Sequence, residues 1–144
     1  MRNSLIPLNI TSFDGPNRFL SNFYPCVIVF EGIKYHSAEH AYQASKTNNK
    51  DIRYSISLID TPGQAKRAGR RLVLREDWES VKIDVMREIL EEKFSIPELR
   101  NKLKDTGKLK LIEGNHWGDT FWGVCNGKGQ NNLGKLLMEI RDSI

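Results

Sequence analysis

The chain is poor in cysteine and histidine. Cys26 and Cys125 are its only cysteines in 144 residues, and they form no Cys-x-x-Cys pair, so a disulfide scaffold and a cysteine-based zinc site are both excluded. His36, His40 and His116 do not complete a zinc-ligand spacing either. The expectation is two reduced, semi-buried thiols. A thiol nucleophile at Cys125, beside a Gly-rich turn, is the lesser reading. No apolar run approaches about 20 residues, which leaves no segment to span a membrane. Met1-Arg2-Asn3-Ser4 leads into no apolar core of signal-peptide length. Repeats, linkers and low-complexity tracts are missing too. Together these absences point to a cytoplasmic protein.

What remains is a globular composition. At 144 residues the chain fits one domain, residues 1–144, able to bury about 70% of the surface its unfolded form exposes. Such a domain needs neither metal nor disulfide to fold. Hydrophobic residues make up 39% and charged residues 28%, a balance that argues against disorder. A net charge of +4 and a pI near 9.1 tilt the protein mildly toward anionic partners: phosphates, nucleotides or nucleic acid.

The local signals run from β to α. The first 35 residues read as β. Cys26–Phe30 and Ile33–Tyr35 are short apolar runs, and Glu31-Gly32 between them suits a tight hairpin. From Ser37 the period changes. Ser37 is a good N-cap, and Ala38, Ala41, Tyr42 and Ser45 share one helical face, toward the core. Thr61-Pro62-Gly63-Gln64 carries a capping box with proline at the first helical position. Asp77 caps a helix in which Trp78, Val81, Val85 and Ile89 recur. Ser95-Ile96-Pro97-Glu98 is a further capping box ahead of Leu99 and Leu103, and Thr106-Gly107 ends that helix. Leu109–Ile112 suits a short strand. Leu133, Leu136, Leu137 and Ile140 give the last segment an apolar face. The expected class is α+β, a small N-terminal β element followed by mostly helices, rather than a repeating βαβ fold.

Two constellations carry chemistry. Glu39, Gln43 and Lys46 are spaced by four and three, so on one helix their side chains point the same way. Glu39 falls in the first turn, where free N–H groups and the helix dipole favour negative charge, and where a ligand phosphate could compete. On spacing alone such a row is a solvated face. Tyr35, His36 and His40 beside it turn the reading toward a polar ligand site. The second constellation, EGNHWGDTFWGVCNGKGQNNLG from Glu113 to Gly134, gathers His116, Trp117, Asp119, Trp122 and several glycines. Tryptophan offers a stacking surface, glycine admits close backbone approach, and Asn126-Gly127-Lys128-Gly129 can form an N–H-rich turn over phosphate oxygens. A structural loop pinned by aromatic packing is the plainer alternative. Gly129 to Lys135 matches most of a P-loop. However, Leu136 stands where Ser or Thr must hold magnesium and no apolar strand precedes, so an NTPase is rejected. Gly127-x-Gly129-x-x-Asn132 lacks the third glycine of a dinucleotide fingerprint.

Phe19-Leu20-Ser21-Asn22-Phe23, then Tyr35-His36-Ser37-Ala38-Glu39-His40-Ala41-Tyr42-Gln43-Ala44-x-Lys46, resembles the NADAR family, which includes the bacterial YbiA-like proteins. Ala65-Lys66-x-x-Gly69-Arg70, Trp78, Lys93-Phe94, Leu111-Ile112-Glu113, Asp119-x-x-Trp122-Gly123 and Gly127-x-Gly129-x-Asn131-x-Leu133-Gly134 follow in family order. The resemblance runs from about Phe19 to Arg141. It implies a YbiA-like fold and N-glycosidase chemistry. The substrate would be a phosphoribosylamino-pyrimidine intermediate of riboflavin synthesis, or ADP-ribosylated guanine in nucleic acid such as DNA. After Trp122-Gly123 some YbiA-like proteins carry further acidic and glycine residues, where this chain has Val124-Cys125-Asn126.

Breaking a ribose C1–N bond builds positive charge at C1 and the ring oxygen, which a carboxylate stabilises. Under the resemblance Glu39 takes that role or activates water, and Asp119 is the second carboxylate, for the ribose hydroxyls or the water. Lys46 offers a different route, attacking C1 of a ring-opened ribosylamine to give a Schiff base. Trp122 would stack on base or sugar, and Arg70 and Lys128 would hold phosphate. Asn22, Phe23, His36, Tyr42 and Gln43 complete the expected binding residues in the first half, and Gly123 and Asn131 in the second. The scheme calls for no metal or cofactor. A non-catalytic module that binds ADP-ribose or nucleotides is the alternative.

Overall fold

The structure, a computed structural model, describes residues 9–144; the first eight residues of the expected N-terminal β region lie outside it. In chain order the strands are β1 (Asn9–Ile10), β2 (Ile28–Phe30), β3 (Ile33–Tyr35), β4 (Lys110–Leu111), β5 (Gly114–Asn115) and β6 (Val124–Cys125). The helices are α1 (Ala38–Ala44), α2 (Lys50–Ser57), α3 (Pro62–Gly69), α4 (Trp78–Lys93), α5 (Pro97–Asp105) and α6 (Asn132–Ser143). The class is α+β with helices predominating, as the sequence led us to expect. Backbone contacts divide the chain into two units: Asn22–Ile96, and the described residues through Ser21 together with Pro97–Ile144.

In the unit Asn22–Ile96, β2 and β3 pair antiparallel with Ile28 opposite Tyr35 and Phe30 opposite Ile33. Glu31 (φ 48°) and Gly32 (φ 85°) both take the left-handed backbone that a two-residue hairpin turn requires. The Ser37 hydroxyl accepts the His40 N–H at 3.1 Å and starts α1. α1 is shorter than the spacing suggested: it ends at Ala44, and Lys46 lies in the tight turn beyond it, its N–H on the Gln43 carbonyl at 3.2 Å. α2 was not expected. Asn49 caps it through the Ile52 N–H at 3.0 Å, but Ile52 and Ile56 are too few apolar positions to declare a period. The capping box of α3 is present in both directions between Thr61 and Gln64. Asp77 stands at the start of α4 without capping it, because Arg75 takes its carboxylate at 2.6 and 3.0 Å. α4 buries Trp78, Val85, Met86, Ile89 and Leu90, while Val81 is half-buried. Ser95 turns its hydroxyl back onto the Glu92 carbonyl at 2.6 Å rather than forward as a cap. α1 is enclosed, packed by α2, α3, α4 and the hairpin. Its alanines at 38, 41 and 44 are wholly buried and let those neighbours approach closely.

In the other unit, Gly15–Leu20 is a 3₁₀ helix with proline in its first turn, which corrects the reading of this stretch as β: Pro16 presets a helical φ and has no N–H for a ladder. β1 pairs parallel with β4, Ile10 beside Leu111, so the short strand expected at Leu109–Ile112 is there. α5 buries Leu99 and Leu103 and stops at Gly107 (φ 62°). β5 pairs parallel with β6. α6 buries Leu133, Leu136, Leu137 and Ile140, the four positions its period marked, and Arg141 ties its end to Thr106 Oγ1 at 2.9 Å and the Leu109 carbonyl at 2.7 Å. Among the described residues no helix is long and apolar enough to cross a membrane.

Candidate active site

α1 and the turn that follows it concentrate charge where water is scarce. Glu39 is 7% exposed and Gln43 3%, so the row that spacing alone would leave on a solvated face is buried. The cause is that α1 has neighbours on several sides. Gln43 Nε2 donates to Glu39 Oε2 at 2.5 Å, and the side-chain amide oxygen of Gln43, Oε1, is buried with no hydrogen-bond partner. Lys46 is half-buried. Burial pushes its ammonium below the ordinary lysine value; the Glu39 carboxylate opposes this, and the positive charges of Arg70, Lys66 and Lys82 add to the lowering. Its Nζ lies 5.7 Å from the centre of the Tyr42 ring, which in turn leans on Trp78 at 5.3 Å. The structure therefore brings together Glu39, Tyr42, Gln43, Lys46 and the charge of Arg70. A half-buried amine with a depressed pKa, close to a fixed carboxylate, is equipped for nucleophilic or acid–base chemistry.

The start of α1 is already occupied by the protein. Glu39 N–H donates to the Asn22 carbonyl at 2.9 Å and His40 N–H to Ser37, so the place where a phosphate could compete is filled by backbone and cap. Asn22 is buried. Its Nδ2 donates to Met86 Sδ at 3.6 Å, while Oδ1 has no partner. Phe23 is 42% exposed and His36 is exposed. His40 is structural: its ring bridges Ser37 Oγ at 2.6 Å and the Ile59 carbonyl at 2.8 Å, and burial lowers its pKa. Arg70 is exposed at the end of α3.

The Trp/Gly-rich segment turns most of its polar groups on itself. Asp119 Oδ1 accepts the N–H groups of Phe121 (3.1 Å) and Trp122 (2.9 Å), leaving Oδ2 outside these bonds. Asn115 clamps the Asp119 backbone from both sides, at 2.9 and 3.1 Å. Asn131 holds the left-handed backbone before α6 (φ 54°). Its amide bridges Glu113 N–H and the Leu111 carbonyl, both at 2.9 Å, which makes it a strut and not a presented ligand group. Gly123 is buried, and any Cβ there would stand 1.9 Å from Glu113 Oε2, so its role is close packing. The Trp122 ring meets Phe121 edge-on at 4.8 Å. Asn126 (φ 53°) and Gly127 (φ 76°) form a tight turn closed by Cys125 and Lys128, which exchange N–H and carbonyl at 2.8 and 3.1 Å. The Lys128 N–H is thus committed, and only its exposed side chain is offered at the tip. Glu113, which its place in the sequence does not mark out, is central here: its side chain accepts Asn115 Nδ2 at 2.9 Å and its carbonyl the Val124 N–H at 2.8 Å. Among the described residues no three His, Cys, Asp or Glu side chains are grouped to hold a metal.

Known proteins resemble this chain in sequence and in fold. The family model of the NADAR domain matches residues 11–144. The chain is 39% identical over 148 positions to N-glycosidase YbiA of Shigella boydii, covering 100% of this chain and 91% of that protein. It is 36% identical to a riboflavin biosynthesis protein of Vibrio vulnificus, spanning 96% of this chain but only 38% of that longer relative. The NMR structure of Escherichia coli YbiA superposes with a TM-score of 0.82 at 39% identity, covering 94% of this chain and 82% of that one. Fold, motif order and family model converge, and the chain belongs to the NADAR domain family.

Proposed function

We propose that this protein is an N-glycosidase that hydrolyses the bond between a ribose C1 and an amino or amide nitrogen. The observation that carries the reading is the buried Glu39–Gln43 pair beside a half-buried Lys46. A module that only binds anions gains nothing from a buried carboxylate next to its basic groups. The names of the relatives, N-glycosidase and riboflavin biosynthesis protein, support the same chemistry. Glu39 stabilises the charge developing at C1 or acts as the general base. Lys46, whose amine is easier to free than an exposed lysine's, adds to the C1=N carbon of the ring-opened sugar; the substrate nitrogen takes the proton that Lys46 gives up and leaves with its base as the C1–N bond breaks, and water then hydrolyses the resulting lysine Schiff base to the free sugar. Asp119, one oxygen fixed by two backbone N–H groups, serves the ribose hydroxyls or the water through the other. Trp122 stacks on base or sugar, and Arg70 and Lys128 hold phosphate.

For the substrate, the reading is a phosphorylated ribose or an ADP-ribose linked to a nitrogenous base, either as a phosphoribosylamino-pyrimidine or as ADP-ribosylated guanine in DNA. The +4 charge is compatible with both. The test incubates the protein with each in parallel and follows products by mass spectrometry, with Glu39→Gln as control. Free ADP-ribose from the oligomer, absent with the control, assigns nucleic-acid substrates. Release of ribose 5-phosphate alone assigns the metabolite. If the folded protein cuts neither, the non-catalytic ADP-ribose- or nucleotide-binding reading replaces this one.

A further inference from the structure

Gly69 closes α3 with an ordinary helical backbone rather than a left-handed one, so conformational freedom does not explain a glycine there. Glycine weakens a helix, and space supplies the reason for it. A Cβ at Gly69 would stand 1.8 Å from Gln43 Oε1, 2.6 Å from Gln43 Cδ and 3.1 Å from Gln43 Cβ. The oxygen end of the Gln43 amide thus occupies the space that a side chain at position 69 would take. The amide oxygen faces the Gly69 Cα with no conventional donor, and the amide nitrogen faces Glu39 Oε2. The opposite orientation of the amide would set oxygen against oxygen at the carboxylate. The hydrogen that replaces the Gly69 side chain points at Oε1 and favours the observed orientation through a weak C–H···O contact.

We infer that Gly69 is a positioning residue: its missing side chain is the seat that lets Gln43 hold Glu39 ionised and in place. This rests on the reading of Glu39 as the acting carboxylate. The clashing atoms are the far end of a flexible side chain, so Gly69→Ala displaces the Gln43 amide instead of unfolding α3. Glu39 then loses a donor that favours its charged form. Gln43→Ala removes the same donor directly. In the double variant Cδ and Oε1 are gone, and the methyl group introduced at position 69 has little left to displace.

The test compares wild type, Gly69→Ala, Gln43→Ala and the double variant in two ways. Steady-state kinetics on whichever N-glycoside the wild type cuts should show kcat falling about 10- to 100-fold in each single variant. KM should stay within about twofold in each, and the double should be no worse than Gln43→Ala. Carboxyl NMR of Glu39 through a pH titration needs no substrate. The midpoint should move upward in both single variants and no further in the double. Additive losses, a KM increase in Gly69→Ala, or an unmoved Glu39 midpoint would each overturn the inference. If the wild type cuts nothing, the enzymatic reading fails, while the titration still decides whether Gly69 acts on Glu39 through Gln43.

Discussion

The α1 region and the Trp/Gly-rich segment are both dense in polar and aromatic residues, yet they treat their polar groups in opposite ways. Around α1 the backbone is satisfied by Ser37 and Asn22. The Glu39 carboxylate stays buried, with one acceptor of Gln43 unpaired and a half-buried lysine pushed below its ordinary pKa. In the segment from Glu113 to Gly134, the amides of Asn115 and Asn131 and one oxygen of Asp119 are bound to neighbouring backbone. The contrast separates reactivity from scaffolding. Groups held with their bonds incomplete in a dry place are available for chemistry, while groups whose bonds are complete hold a loop in shape.

The largest effects that test this contrast lie in α1. Glu39→Gln should cut turnover by about 100-fold or more, with the denaturation midpoint nearly unchanged because the side chain keeps its shape. Borohydride added during turnover should attach substrate to the wild type at Lys46, detected as a mass adduct, and Lys46→Met should give no adduct. Absence of a wild-type adduct would leave Glu39 with direct activation of water. A lysine acting as the free amine makes the rate rise with pH through a midpoint below the ordinary 10.5.

Effects in the Trp/Gly-rich segment should be structural first. Asn131→Ala removes both backbone bridges and places alanine in the left-handed region, so unfolding free energy should drop by about 2 kcal/mol, read by urea denaturation. Asp119→Asn keeps an oxygen for the Phe121 and Trp122 N–H groups. It should therefore leave the midpoint almost unchanged, and a loss of turnover in it measures the second oxygen alone.

The smallest effect expected is away from both regions and is stabilising. Lys93 is fully buried, with its Nζ 5.1 Å from the Phe94 ring centre, and burial pushes its pKa down to about 8. Because the folded-state value lies below the unfolded one, the unfolded chain holds more protons between pH 8 and 10.5, and the Lys93 contribution to stability improves as pH rises through that window. Lys93→Met should gain on the order of 1 kcal/mol at neutral pH. The gain should shrink toward pH 10.5 in denaturation curves of the two proteins.

Much of this molecule follows from local chemistry. Caps at Ser37 and Thr61 start helices where their short polar side chains meet the next turn's N–H groups. The hairpin turns at Glu31-Gly32, and the Leu133, Leu136, Leu137 and Ile140 stripe faces inward on α6. The motifs of the family are likewise linear and legible. Spacing could not show that α1 has neighbours on nearly every side, because periodicity finds an apolar face but does not tell whether the polar face meets water. Nor could it separate Asp77, which has a better partner in Arg75, from a true cap, or Asn131 the strut from a ligand group, since each choice depends on contacts that spacing does not encode. The order of residues by itself determined most of the helices, though neither α2 nor the 3₁₀ helix at Gly15–Leu20, together with the hairpin and the family. Only tertiary packing decided that Glu39 and Gln43 are dry, that the Lys46 pKa is lowered, and that Gly69 must be bare, because burial and close approach belong to the assembled chain.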